Sequence, residues 1–562
     1  MSLSTDIAKF TDLVQSWASK VSDVFYSDVA QDVTIKVIND IGDIVDVTIP
    51  NHKKMQDTFA TWQGNINIKN VGGTVVADDD TPLSVDKFGG LTLAEYSELY
   101  NSFFDERSVK LMPLNQGRSM PSYHFMAFVN RANKIMFWGY NNGGWANING
   151  AANAQSMQEL NQPAEQQGIE IAKIWVVGRH IAILYVDGKL YGRGLQSEGH
   201  FGIGNTAQQN TFVLMSTNVV DYNTSSHGDQ DEQPSAKIIK TDGSVWSAGD
   251  NGHGELGIGN TTNTYTWTRA YNPNDYAGDK AIKVVTEGDN VAYTSILTEN
   301  GNLFVTGYNG YGQLGTGDTT NLDTFTLVDP STFNDEAISD VIMGSGYTDD
   351  KYTSATYVIT ASGKVWCTGY NGYGQCADGT TDQRTTFREV NYNSNHDVLT
   401  DPVRQIEIGW HAVYMVTEAG ELYSVGRNNY GHLGIDNTTD QTSFQYVTDN
   451  VKLLHQTIGA DATDYPSLFI VKTDDTLWSW GYNAHGELGL DHTTQMNAPA
   501  QVNFTEVGKI ESFGTSGYSS ANATYFKLTD GNLYACGYNG YGNCNGQTSD
   551  TSYYSHLTRV HF

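Results

Sequence analysis

The chain has 562 residues and carries 63 Asp+Glu against 32 Lys+Arg, a formal net charge of −31. So acidic a surface repels phosphate backbones and anionic lipid headgroups, which argues against nucleic-acid or membrane-surface binding. No run approaches the roughly 18 apolar residues of a membrane span, the opening MSLSTDIAKF lacks the apolar core of a secretory signal, and 58 glycines with 12% aromatics fit a turn-rich, all-β chain.

In chain order, residues 4–26 predict a helix capped by Ser4 or Thr5. Its large apolar residues Ile7, Phe10, Val14, Trp17, Val21 and Val24 alternate spacings of 3 and 4, the a/d rhythm of a coiled coil. The pattern predicts a homo-oligomer, trimer favoured; the alternative is an amphipathic helix packed on its own chain. Val33, Ile35 and Val37, then Ile44, Val45, Val47 and Ile49, flank Gly42-Asp43 and predict a hairpin. Pro50 ends it, and 51–62 predict a short helix with Met55, Phe59 and Trp62 on one side. Residues 64–90 are turn-rich; Asp78-Asp79-Asp80 lacks the spaced ligands and distal Glu of a calcium loop and reads as a solvated turn. Thr92 and Glu95 form a capping box opening a helix to about residue 104. The expected domains are a coiled-coil-like helix (1–27), a small α+β connector (28–104) and a repeat array (105–562).

The array is marked by the stretch LFVTGYNGYGQLGTG at 303–317, which recurs with variation. Its anchor glycine, at the end of a short strand, recurs as Gly139, Gly194, Gly249, Gly307, Gly369, Gly426, Gly481 and Gly537, at intervals running from 55 (139 to 194) to 62 (307 to 369). A fixed period of this size signals a modular array. Counting from the anchor, position +5 is glycine in all eight copies, +2 is Asn in seven (Gln196 in the other), and +7 is apolar. Asp-Gly pairs upstream, as at Asp242-Gly243 and Asp530-Gly531, predict tight turns. One unit therefore reads as four strands with a Gly-rich loop before the last, the size of a propeller blade.

Chemistry-bearing motifs do not survive scrutiny. Gly310-Tyr-Gly312-Gln-Leu-Gly315 has the spacing of a dinucleotide loop, but no helix follows it and the pattern belongs to a β-repeat. His253 and His485 share position +4 with Tyr311, Tyr373, Tyr430 and Tyr541, a packing or surface slot rather than a ligand set. Cys376 and Cys544 fill the slot that is Leu in four copies, so the four cysteines (367, 376, 536, 544) are expected as buried small hydrophobes in a reducing compartment, not a disulfide framework. No catalytic residue, cofactor or metal is expected.

These copies resemble the regulator of chromosome condensation repeat family, whose mark is an aromatic-x-x-Gly-x-Asn-x-x-Gly-Gln-Leu-Gly-x-Gly loop after an Asp-Gly hairpin; 303–317 and 477–490 carry it most fully. The resemblance covers about four-fifths of the chain and implies an all-β, closed β-propeller of four-stranded blades. Family members have seven as a rule; eight copies here favour eight, with an N-terminal α+β anchor. The nucleotide exchange known in the family is disfavoured by the acidic charge. The N-terminal part more loosely resembles the virion anchors of bacteriophage tail fibres. The reading that follows is a non-enzymatic virion recognition protein on a phage tail, assembled in the host cytoplasm, with tail or baseplate proteins and a host-surface receptor as partners. The alternative is a cytoplasmic protein-interaction scaffold; a glycan depolymerase or exchange factor ranks below both. The candidate binding rim is Tyr308, Asn309, Tyr370, Asn371, Tyr482, Asn483, Tyr538 and Asn539, aromatic faces plus amides suited to sugars or protein. The competing reading is that Tyr packs between blades and Asn caps the turn.

Overall fold

A computed structural model describes residues 33–38, 44–49, 109–111, 125–139, 154–225, 234–288, 292–348, 351–390, 401–409, 411–457, 466–506, 509–518, 521–539, 544 and 553–560. The chain divides into two units, Met1–Asp105 and Glu106–Phe562. In the first, β1 (Val33–Ile38) and β2 (Ile44–Ile49) pair antiparallel with Val33 opposite Ile49, the hairpin the alternation predicts. The helices expected over 4–26, 51–62 and 92–104, including Ile7, Phe10, Val14, Trp17, Val21 and Val24, lie outside the described residues, as does the Asp78–Asp80 turn.

The second unit is an eight-bladed propeller. Eight antiparallel four-stranded sheets follow one another along the chain, spanning 109–160, 171–216, 219–271, 281–327, 338–389, 403–448, 451–501 and 510–559. Within each blade the strands pair in chain order. The first strands of neighbouring blades approach one another, the second strands are buried along their length, and the fourth are outermost and half exposed. Among the described residues of the propeller the other regular elements are one-turn 3-10 segments between blades. In one of these, the polar stretch near 329–340 folds as a turn capped by Asp329, and Phe333 drives into the core against Trp366 and Phe387.

The core is divided by junction. Eight hydrophobic clusters are found, and each joins one blade to the next, round to the cluster shared by blades eight and one. Each sheet therefore buries both faces, one against each neighbour. Closure involves no exchange of strands, because blades one and eight each take all four strands from contiguous chain. Side chains and a few backbone contacts close the ring. Trp138 of blade one meets Tyr525 of blade eight edge to face at 5.8 Å, the Val109 N–H donates to the Gly531 carbonyl (2.7 Å), and Lys527 Nζ donates to the Lys110 carbonyl (2.8 Å).

Register sets the faces. The anchor glycine at the end of each third strand lies opposite the start of the second, as Gly249 opposite Ser235 and Gly307 opposite Tyr293. The Gly-rich loops and the connections between first and second strands thus share one face of the ring. The Asp-Gly turns and blade-to-blade connections occupy the other.

Candidate interaction face

The Gly-rich loop is built from its asparagine outward. Asn309 is fully buried. Its Oδ1 accepts from the Leu314 N–H (3.0 Å), while Nδ2 donates to the carbonyls of Asp318 and Thr320 (both 3.1 Å). Asn251, Asn371, Asn428 and Asn483 repeat this pattern, and Asn539 the first half of it, to Cys544. A buried amide that satisfies backbone groups on both sides of a loop fixes that loop as one body. The candidate rim is corrected accordingly. Asn309, Asn371, Asn483 and Asn539 are sealed inside and serve the turn, because any amide facing a ligand would abandon three backbone partners.

The same loop clamps the neighbouring blade. At position +10 the N–H groups of Gly204, Gly259, Gly317, Gly379, Asp436 and Asp491 donate at 2.7–2.9 Å to carbonyls on the outermost strand of the next blade. Position +5 passes beneath that strand. A Cβ on Gly312 would stand 2.5 Å from the Arg384 carbonyl, and its φ of +74° disfavours any side chain. The glycines are architecture.

Two positions are left for display. Tyr308, Tyr370, Tyr482 and Tyr538 at +1 are half buried. Each junction from blade three to blade eight brings the +4 side chain of one blade against the +1 side chain of the next. The contacts are His253–Tyr308 (5.2 Å between ring centroids), Tyr311–Tyr370 (5.5 Å), Tyr430–Tyr482 (5.6 Å) and His485–Tyr538 (5.9 Å). Between blades five and six, the Arg427 guanidinium lies 5.2 Å over the Tyr373 ring. The result is an arc of rings crossing five consecutive junctions on one face. The tyrosines pack between blades, as the competing reading has it, and each stays part exposed. Burial raises the Tyr308 and Tyr311 hydroxyls above their ordinary pKa, so they stay neutral donors at physiological pH.

A buried polar residue at +6 orients the arc. The side chains of Glu255, Gln313, Gln375 and Glu487 accept from the backbone N–H of the +4 residue at 2.7–3.0 Å. The carbonyls at +6 accept from the next blade, Gln313 from Thr356 Oγ1 (2.7 Å) and His432 from Trp480 Nε1 (2.8 Å). Sequence reasoning missed this role; the signal was a Glu or Gln at +6 in four copies. In blade three the position holds a carboxyl group in a buried site. Burial and the neighbouring Asp250 raise the Glu255 carboxyl pKa, and burial lowers that of Lys237, whose Nζ is held by Ser235 Oγ (2.6 Å) and Thr286 Oγ1 (3.1 Å).

The cysteines divide. Cys536 and Cys544 are buried free thiols, but Cys367 and Cys376 form a disulfide with Cα atoms 5.4 Å apart, against the expectation that none is bridged. The reason lies in the loop. Positions −2 and +7 are neighbours in other copies too, as Ser424 Oγ donates to the Leu433 carbonyl (2.7 Å) and Ser479 Oγ to that of Leu488 (2.8 Å). Two cysteines placed there meet the distance a disulfide requires.

No group of His, Cys, Asp and Glu among the described residues is arranged to hold a metal ion. A cavity between blades five and six, lined by Tyr357, Gln375, Ile408 and His411, has about 10 Å³ of free space, enough for one water.

What this geometry defines is an eight-bladed propeller whose repeat loop both locks blade to blade and carries an aromatic face. A family model, the regulator of chromosome condensation (RCC1) repeat, matches residues 474–521, from the Asp474-Asp475 turn of blade seven to the start of the second strand of blade eight. The array is thus a propeller similar to those built of regulator of chromosome condensation repeats. It is 26% identical over 263 residues to the ultraviolet-B receptor UVR8 of Arabidopsis thaliana (46% of this chain, 54% of that protein). It is 30% identical over 156 residues to the X-linked retinitis pigmentosa GTPase regulator of Canis lupus familiaris (28% of this chain, 14% of that protein). The chain thus spans about half the length of the first relative and a seventh of the second. The crystal structure of Prp20p from Saccharomyces cerevisiae is 17% identical, with a TM-score of 0.47 over 72% of this chain and 90% of that one.

Proposed function

We propose that the chain acts by binding a protein partner on the loop face of its propeller, as an interaction scaffold and not by catalysis. The observation that carries this is the arc of half-buried rings across five junctions. Aromatic side chains anchored along one edge lose little freedom on binding and offer large contact area, the character of protein-recognition surfaces. The relatives, matched through the propeller and named as a receptor and a GTPase regulator, support this reading ahead of display on a virion.

The test is site-specific photocrosslinking in the source cells. A benzophenone side chain is placed at exposed +3 positions of the loop face, Asn429 and Ala484, and at exposed turns of the opposite face, Glu299 and Asp474. The expected result is a discrete protein adduct from the loop-face positions alone. Adducts confined to the opposite face, or none from any position, would defeat the proposal.

A further inference from the structure

We infer that the segment of the partner received by this face is cationic and presents arginine. The inference rests on the reading of the loop face as the binding surface and adds the chemistry of what binds there.

Two independent features point the same way. The first is charge. In blades four to seven the loops carrying the rings also carry Asp318, Asp382, Asp436, Asp440 and Asp491, all exposed. Across those four loops the Lys and Arg residues are Arg384 and Arg427. Arg384 is paired with Asp378, and Arg427 is stacked on Tyr373. The loops that carry the arc are therefore anionic with their own cations engaged, in a chain of net charge −31. A cationic segment gains long-range attraction here, and an anionic one is repelled.

The second feature is a worked example inside the protein. Position +1 holds Tyr in blades one, four, five, seven and eight and Arg427 in blade six. There a guanidinium lies over the +4 ring, 5.2 Å from its centroid, where another copy has Tyr430 against Tyr482. The arc thus accepts a guanidinium in place of a ring without breaking its course. A planar guanidinium stacks on an aromatic face and still donates to carboxylates at its edge, which an ammonium does less well. Loops that carry both rings and exposed aspartates suit both halves of that side chain.

The experiment uses the full chain and three fluorescent peptides of equal length, Arg/Gly, Lys/Gly and Glu/Gly, with affinity read by anisotropy across a salt series. The Arg peptide is expected to bind most tightly, the Lys peptide more weakly and the Glu peptide not at all, with both affinities falling as salt rises. Tyr311→Leu is expected to weaken the Arg peptide about five- to tenfold. Asp436→Asn with Asp491→Asn, which keep an acceptor oxygen and lie on the surface, should weaken both cationic peptides alike. Absence of binding by either cationic peptide, binding of the Glu peptide, or Arg binding indifferent to Tyr311→Leu would each overturn the inference. The two failures are distinct. Loop-face adducts without peptide binding leave the partner reading standing and remove the cationic one; adducts from the opposite face alone remove both.

Discussion

Replacing Asn309 by Ala is the sharpest probe of the loop. The change removes one acceptor and two well-formed donations in a fully buried site. The Leu314 N–H, buried with its residue, is left without a partner, a penalty of about 1–3 kcal/mol. The carbonyls of Asp318 and Thr320 lie on an exposed segment and recover water, so they add about 1 kcal/mol together. The sum is about 2–4 kcal/mol, a large share of the roughly 5–15 kcal/mol that holds a typical fold. The Leu314 amide itself is the readout. Hydrogen exchange there should accelerate roughly 30- to 900-fold, since each 1.4 kcal/mol is a factor of about ten. Asn309→Asp keeps the acceptor and loses the donors, so Leu314 should stay protected while residues 316–321 loosen. Asn274→Ala, at an exposed position, should shift stability by no more than about 0.5 kcal/mol. The reasoning is refuted if Asn309→Ala leaves Leu314 exchange where Asn274→Ala leaves it.

Two further outcomes are expected. Trp138→Ala, at a buried ring of the closing junction, should cost about 3–5 kcal/mol and expose blades one and eight to exchange before blades four and five; uniform loosening would contradict closure by side chains. Stability should also fall in mild acid. Burial lowers the His180 pKa to about 3 from an ordinary 6.5, so the folded state holds the neutral ring and the unfolded state takes up a proton below pH 6.5. The contribution is intact above that pH and is lost as pH falls towards 3, by about 1.4 kcal/mol per unit, or about 2 kcal/mol at pH 5. His180→Ser, the residue at the matching place in blades three and seven, should flatten the pH 5–8 slope by that amount in denaturant titrations; an unchanged slope refutes it.

The period, the four-strand unit, the eight blades and the Asp-Gly turns were legible because each is local: a turn residue states its own backbone need. Asn309 was legible as a turn residue but not as a buried one, since alternation in a loop carries no signal of which side faces water. The Tyr311–Tyr370 contact was not legible, because it joins residues 59 positions apart (370 − 311) through the packing of two sheets. The same is true of closure. Eight complete copies are compatible with exchange of a strand or without it, and the choice is made by Trp138 and Tyr525 at opposite ends of the array. Cys367 and Cys376 were misread because the slot at +7 was compared only with its equivalents and not with its neighbour at −2.

Comparison among the copies also separates what the ring needs from what the face offers. One chain repeats the same loop under the same packing, so a position that never varies is dictated by the fold, and a position that varies is released by it. Position +5 is always glycine because the next blade's outer strand lies on it, and +2 keeps its amide because three backbone groups depend on it. Position +1 runs through Tyr140, Leu195, Asp250, Tyr308, Tyr370, Arg427, Tyr482 and Tyr538, and +4 through Gly143, Glu198, His253, Tyr311, Tyr373, Tyr430, His485 and Tyr541. Such tolerance means the fold does not require a ring at either place, since Leu195 and Glu198 serve blade two without one. The clustering of rings at +4 from blade three onward, and at +1 from blade four onward in all but the sixth, therefore calls for a reason outside packing, and contact with a partner supplies one.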